Sequence, residues 1–114
     1  MTRELRILVE WEPLLHRILD CTMRFPKSVR HSFVDRIDGL CLDCTSAIVK
    51  AQYSPKEDQS VYLQQINQML AQIRLLLRIS TDRKYLSIGQ LKVLIEGLEN
   101  IGYQVNTWFK MRTQ

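Results

Sequence analysis

Apolar residues recur along this chain at steps of three and four, and the recurrence is broken in three places. One stripe holds Phe33, Ile37, Leu40, Cys41, Cys44, Ala47, Ile48 and Ala51; a second holds Tyr62, Ile66, Met69, Leu70, Ile73, Leu76, Leu77 and Ser80. A third runs through Ile88, Leu91, Ile95, Leu98, Ile101, Gly102, Val105, Trp108 and Phe109, with Lys92, Glu96, Glu99 and Asn106 on the other side. Such spacing predicts amphipathic helices. Ahead of them, Leu14, Leu15, Ile18, Leu19 and Thr22 line one face of a first helix read from about Glu12 to Arg24, with Pro13 in its first turn, where a missing N–H costs nothing. Upstream, Arg3 to Glu10 alternates in part between charged and apolar residues, which suits an extended arm or a helical extension kinked at Pro13.

The breaks carry start signals. After Pro26, Ser28 can cap a second helix. Ser54-Pro55-Lys56-Glu57 predicts a third, with Ser54 as cap, Pro55 at the first helical position and Glu57 bonding back to Ser54. Ser87-Ile88-Gly89-Gln90 repeats the device for a fourth. The expected helices span about 12–24, 28–52, 55–80 and 87–110. A helix of about 24 residues is roughly 36 Å long and marginal alone in water, so the stripes must bury against one another. Short links favour antiparallel neighbours, and the fold expected is all-α, an antiparallel up-down four-helix bundle.

The chain has 114 residues, enough for one domain across 1–114 and one core. Hydrophobic residues at 46% and charged residues at 25% are the proportions of a folded globular protein rather than a disordered one. The longest apolar runs, such as Leu75-Leu76-Leu77, fall far short of the roughly 20 residues of a membrane span. Three cysteines, an odd number with no signal peptide ahead of them, point to a reducing, cytoplasmic setting.

Candidate chemistry is sparse. Only His16 and His31 are present, and no Glu-x-x-His pair of the ferritin-like kind occurs. Cys41 and Cys44 form a Cys-x-x-Cys pair, but mid-helix among core positions, where they read as small apolar residues. Zinc would need further ligands, and Cys21 with a distant His16 supplies them poorly. Asp35, Asp38 and Asp43 lie on or near a polar face, where solvated charge accounts for them. No Gly-rich phosphate loop or nucleophile elbow is found. A non-enzyme without cofactor or metal is expected.

Charge changes the picture once it is placed on a bundle. Arg24, Lys27 and Arg30 surround the first break, and Arg74, Arg78, Arg83 and Lys84 the third; in an up-down bundle those breaks share one end. Seven cations against Asp20 and Asp82 leave +5 there, in a chain whose net charge is +4. Concentrated basicity is the footprint of a polyanion site, and phosphates are the expected ligands of those seven side chains. The competing reading is that Arg74 and Arg78, spaced i, i+4, tie down neighbouring elements through acids such as Asp20 or Asp35. The alternative to a nucleic-acid ligand is a protein-interaction bundle whose basic end meets an acidic protein surface. Val49, Val61, Leu63, Leu75, Ile79, Val93, Leu94 and Phe109 fall off the main stripes, a second apolar face that suggests a homo-oligomer.

Phe25-Pro26-Lys27 with Arg30 three positions on, the run Ile73-Arg74-Leu75-Leu76-Leu77-Arg78-Ile79, and Ile101-Gly102 followed by Trp108 resemble the accessory variability determinant (Avd) proteins of diversity-generating retroelements. The resemblance covers about Val9 to Lys110. Related four-helix proteins are encoded in intervening sequences of bacterial 23S ribosomal RNA genes, and the Avd match is the closer one. The resemblance implies an up-down bundle in a homopentameric ring that binds RNA or DNA and associates with a reverse transcriptase during mutagenic copying. The matching positions are Lys27, Arg30, Arg74 and Arg78. Where many members carry a Gly-Arg-Met-Leu-Gly-Gly-Trp-like stretch, this chain has Gly102-Tyr103-Gln104-Val105-Asn106-Thr107-Trp108, without that Arg and the paired glycines.

Overall fold

Pro13 does not begin the first helix but lies inside it. In the computed structural model, which describes residues 3–114, helix α1 spans Arg3–Thr22, α2 Asp35–Tyr53, α3 Lys56–Asp82 and α4 Ile88–Thr113. The helix start expected near residue 12 moves to Arg3, and of the two alternatives for the upstream segment the structure takes the helical extension; Met1 and Thr2 lie outside the described residues. Two features explain it. Ile7 and Trp11 are fully buried, and the Trp11 indole N–H donates to Thr45 Oγ1 of α2 at 2.8 Å. Pro13 and Val9 are both exposed, so the Val9 carbonyl that proline leaves without a donor can turn to water.

The four helices form a closed square of antiparallel neighbours: α1 packs on α2 and α4, and α3 packs on the same two. The molecule measures 44 × 24 × 21 Å, the shape of a four-helix bundle. Its core runs the full length, from Trp108, Leu63 and Ile7 through Ile18, Ile37, Leu70 and Leu98 to Phe25 and Leu86. An Asn67–Asn106 hydrogen bond of 2.8 Å marks the α3–α4 register. The indole of Trp108 donates to Gln59 Oε1 at 3.3 Å, while Gln59 Nε2 donates to the Ala51 carbonyl at 2.9 Å and closes the end near the α2–α3 link.

Start signals fared unevenly. At α4, Ser87 accepts from the Gln90 N–H and Gln90 Oε1 accepts from the Ser87 N–H, both at 3.1 Å, a complete capping box. Ser54 instead donates backward to the Lys50 carbonyl at 2.5 Å, serving the end of α2, and Pro55 precedes α3 with no side-chain cap. Ser28 caps nothing: it lies in a short 3₁₀ turn, Lys27–Val29, which runs through a π-helical turn, Arg30–Val34, before α2 begins at Asp35. The second helix therefore starts seven residues later than its pattern suggested as a regular α-helix.

Of the off-stripe residues, Leu63 and Leu94 belong to the core and Ile79 and Phe109 are half-buried, whereas Val49, Val61, Leu75 and Val93 are exposed. Ile88, expected inside, is also exposed, while Leu91 in the same turn packs on the core. The outer face of α3 has a further property. From Gln59 to Ile73 it carries no charge, although Val61, Gln64, Gln65, Gln68, Ala71 and Gln72 in that span are all exposed.

Candidate nucleic-acid interface

The link from α1 to α2 and the link from α3 to α4 meet at one end of the bundle. Phe25 and Leu86, one from each link, are buried there. The Tyr85 ring lies 5.7 Å from Phe25 and 5.5 Å from Phe33, centroid to centroid, the second pair edge to face. Arg24, Lys27 and Arg30 on one link and Arg83 and Lys84 on the other are thus brought to a common pole, and all five are exposed.

Local folding of the second link follows from how α3 stops. The Tyr85 N–H reaches the Ser80 carbonyl at 2.8 Å and the Lys84 N–H reaches the Thr81 carbonyl at 2.9 Å, with Lys84 at φ 66°. This is a Schellman ending, with lysine at the left-handed position that glycine normally fills. The reversal aims the chain back into the bundle at Tyr85 and Leu86 and leaves Arg83 and Lys84 outside. Arg83 Nε donates to Tyr85 Oη at 3.4 Å, which keeps the guanidinium firmly protonated.

The other two expected cations differ. Arg78 is exposed one turn before the end of α3, near the pole. Arg74 is half-buried a turn earlier, and its Nη1 lies 3.8 Å from where a Cβ on Gly102 would stand. On the register marked by Asn67 and Asn106, Gly102 is about three residues farther from the pole than Arg74 itself. The Arg74 guanidinium therefore points down the α3–α4 seam, away from the other cations. The direction follows from helix geometry, since side chains lean toward the N-terminus of their helix and α3 rises toward the pole. Arg74 therefore stands apart from the cations gathered at the pole.

Sequence reading also missed cations. Arg17 lies on α1 two turns before Arg24, Arg36 in the first turn of α2 and Lys92 near the start of α4. The i, i+7 spacing of Arg17 and Arg24 was the available signal, since it puts both on one face of a helix. With Arg74 removed and these three added, nine cations stand against Asp20, Asp35, Asp38 and Asp82, a surplus of five in a chain of net +4.

Ion pairing does not cancel that surplus. Arg6 pairs with Glu10 at 3.4 Å and His31 Nδ1 lies 3.4 Å from an Asp35 oxygen; neither contact involves the seven expected cations or Arg17, Arg36 and Lys92. Asp38 accepts from the Thr22 hydroxyl at 2.7 Å; its burial raises its pKa above the ordinary aspartate value, against the lowering effect of that bond. The reading in which Asp20 or Asp35 ties down Arg74 or Arg78 finds no such contact. With their charges facing water, these arginines and lysines are free to meet phosphates.

Other chemistry has little to build on. Cys41 and Cys44 are fully buried, and burial pushes the Cys44 thiol up to about 12 and that of Cys41 higher still. They are core residues, as their helical position suggested. Among the described residues, no group of three or more His, Cys, Asp and Glu is placed to hold a metal ion, and no helix is long and apolar enough to cross a membrane.

A family model described as bAvd-like matches residues 5–112, nearly the whole of all four helices. No curated protein matches the chain.

Proposed function

The chain belongs to the bAvd-like family and is an accessory protein of the Avd type; from that premise we propose that it is non-catalytic, binds RNA or DNA through its basic pole, and associates with the reverse transcriptase of a diversity-generating retroelement. The observation that carries the reading is the gathering of unpaired cations from two separate links at one end. Such a surface holds a polyanion by its backbone, with little regard for base sequence. Held that way, a template RNA or its copy stays beside the polymerase while other surfaces remain free for the enzyme. The three cysteines carry free thiols, which suits a cytoplasmic protein.

Self-association is part of the proposal, as a ring of five subunits by the Avd resemblance. Its support is the charge-free outer face of α3, since a chain of net +4 meets its own copies with least repulsion where it carries no charge. In the Gln68→Glu, Ala71→Glu double variant the mass in solution should fall to that of one chain with helicity retained. An unchanged mass would move the interface elsewhere.

The binding experiment is a titration with RNA, with DNA and with an acidic polypeptide at several salt concentrations. Affinity for the nucleic acids should fall steeply with salt, and each phosphate-contacting cation replaced should lower the salt slope by about one. Arg24→Ala with Arg83→Ala should weaken binding strongly, and Arg78→Ala less. Arg74→Ala should have the smallest effect. If only the acidic polypeptide binds, the protein is instead a protein-interaction bundle, of the kind encoded in ribosomal RNA intervening sequences.

A further inference from the structure

Beside the basic pole, where the end of α1 meets the start of α4, a groove of about 400 Å³ opens to solvent. Arg17 and Cys21 of α1 and Arg24, just past its end, form one wall; Gln90, Val93 and Leu94 form the α4 side. The two arginines are seven residues apart, with the last turn of α1 between them. The groove is within the size range of small-ligand sites.

Its floor is apolar. Leu94 is buried, Val93 is 45% exposed, and burial holds the Cys21 thiol above its ordinary pKa, so that it stays neutral. Gln90 commits its Oε1 to the capping box, which leaves its amide hydrogens for a ligand. Asp20 also stands on the wall and limits the local surplus to one positive charge. Phosphate attraction alone would hold a strand weakly here, and the floor has to contribute.

A duplex cannot use such a floor, because its bases are stacked inside and it offers only phosphates and sugar edges. An unpaired nucleotide can. The face of a base is apolar and can be covered by aliphatic side chains whatever its sequence, although no aromatic ring among the described residues lines this groove, and cations on either side can take the flanking phosphates. Resting on the nucleic-acid reading above, we infer that this groove takes one unstacked nucleotide of single-stranded RNA or DNA. Its base lies over Cys21, Val93 and Leu94, and its phosphates lie on Arg17 and Arg24. The protein then favours single strands over duplexes.

Cys21 makes the inference measurable, since it is the one cysteine of the three that is not buried. Labelled U12, dT12 and a 12-base-pair duplex are titrated against the full chain, and maleimide modification of Cys21 is timed with each probe and with polyglutamate. Either single strand should bind several-fold more tightly than the duplex and should slow Cys21 modification, and the duplex should not slow it. Val93→Gln, an exposed position in a helix, should bring single-strand affinity down to that of the duplex and leave duplex affinity unchanged. Should that variant fold poorly, protection of Cys21 in the unaltered protein decides alone. Equal binding of strands and duplex with Cys21 unprotected would overturn the inference and leave the proposed function standing. Protection by polyglutamate and not by either strand would reassign the groove to an acidic protein segment. Absence of binding by any nucleic acid would overturn both.

Discussion

Tyr85 meets Phe33 edge to face at 5.5 Å, so the link that follows α3 rests on the π-helical turn that precedes α2. The contact joins residues far apart in the chain, and it sets the distance between the two groups of cations. Tyr85→Ala should cost about 2 kcal/mol of stability from lost aromatic packing. It should also weaken nucleic-acid binding although the tyrosine carries no charge. Tyr85→Phe, which loses only the hydroxyl that accepts from Arg83, should keep most of both. Thermal melts beside binding isotherms for the two variants check this; equal loss of binding in both would assign the role to the hydroxyl rather than the ring.

Lys84 separates stability from binding. Held at φ 66°, it adopts a conformation that glycine takes without strain. Lys84→Gly should raise stability, the relief of about 1 kcal/mol being partly offset by the freer unfolded chain. The same change should lower affinity and reduce the salt slope by about one. Lys84→Ala should lower affinity alike without the gain in stability, and denaturant unfolding of the pair measures the difference.

Helix glycines should respond according to the space around them. A Cβ on Gly39 meets nothing within 4 Å, and one on Gly102 meets only ordinary contacts at 3.8 and 3.9 Å. Gly39→Ala and Gly102→Ala should each stabilise by about 0.5–1 kcal/mol through helix propensity. On Gly97 the Cβ would stand 2.7 Å from Leu14 Cδ1. Gly97→Ala should gain less, since the leucine tip must move, and Gly97→Val should destabilise. Melting temperatures of the four variants test the ordering.

Glu10 links pH to the α1–α4 contact. Gln104 Nε2 donates to its Oε2, Asn100 Nδ2 does so at 3.2 Å, and Arg6 lies beside it at 3.4 Å. The Gln104 bond, opposed by partial burial and aided by Arg6 and Asn100, holds the Glu10 carboxyl below its ordinary pKa. A carboxyl held lower in the folded than in the unfolded state adds stability above the unfolded value, about 4.3, and that stability disappears as pH falls through the folded value. Glu10→Gln should therefore flatten the acid limb of the stability curve. Denaturant unfolding from pH 6 down to pH 3 should show the two proteins converging; parallel curves would remove Glu10 from the account.

The helices were legible because burial leaves a periodic trace. Ile37, Leu40, Cys44, Ile48 and Ala51 repeat at helical spacing and are all buried, and the Ser87–Gln90 box marks the start of α4 without help from anything distant. The start of the first helix is not legible locally, because Pro13 suits a first turn as well as a helix interior; the burial of Ile7 and Trp11 and the bond from Trp11 to Thr45, thirty-four residues away, decide for the helical extension. Ser54 shows a similar limit: the same hydroxyl can cap the following helix or bond the preceding one, and composition does not decide between them.

The candidate interface divides along the same line. Sequence by itself determined that this chain would be four amphipathic helices with short links, and that its cations would crowd two of those links, because hydrophobic period and charge position are written residue by residue. Only the tertiary structure decided that Tyr85 would lock those links together, that Arg74 would turn along the seam toward Gly102, and that Arg17 and Arg24 would face the start of α4 across a groove. Those outcomes depend on the register and rotation of one helix against another, which follow from packing across the core and leave no mark in any single stretch of chain.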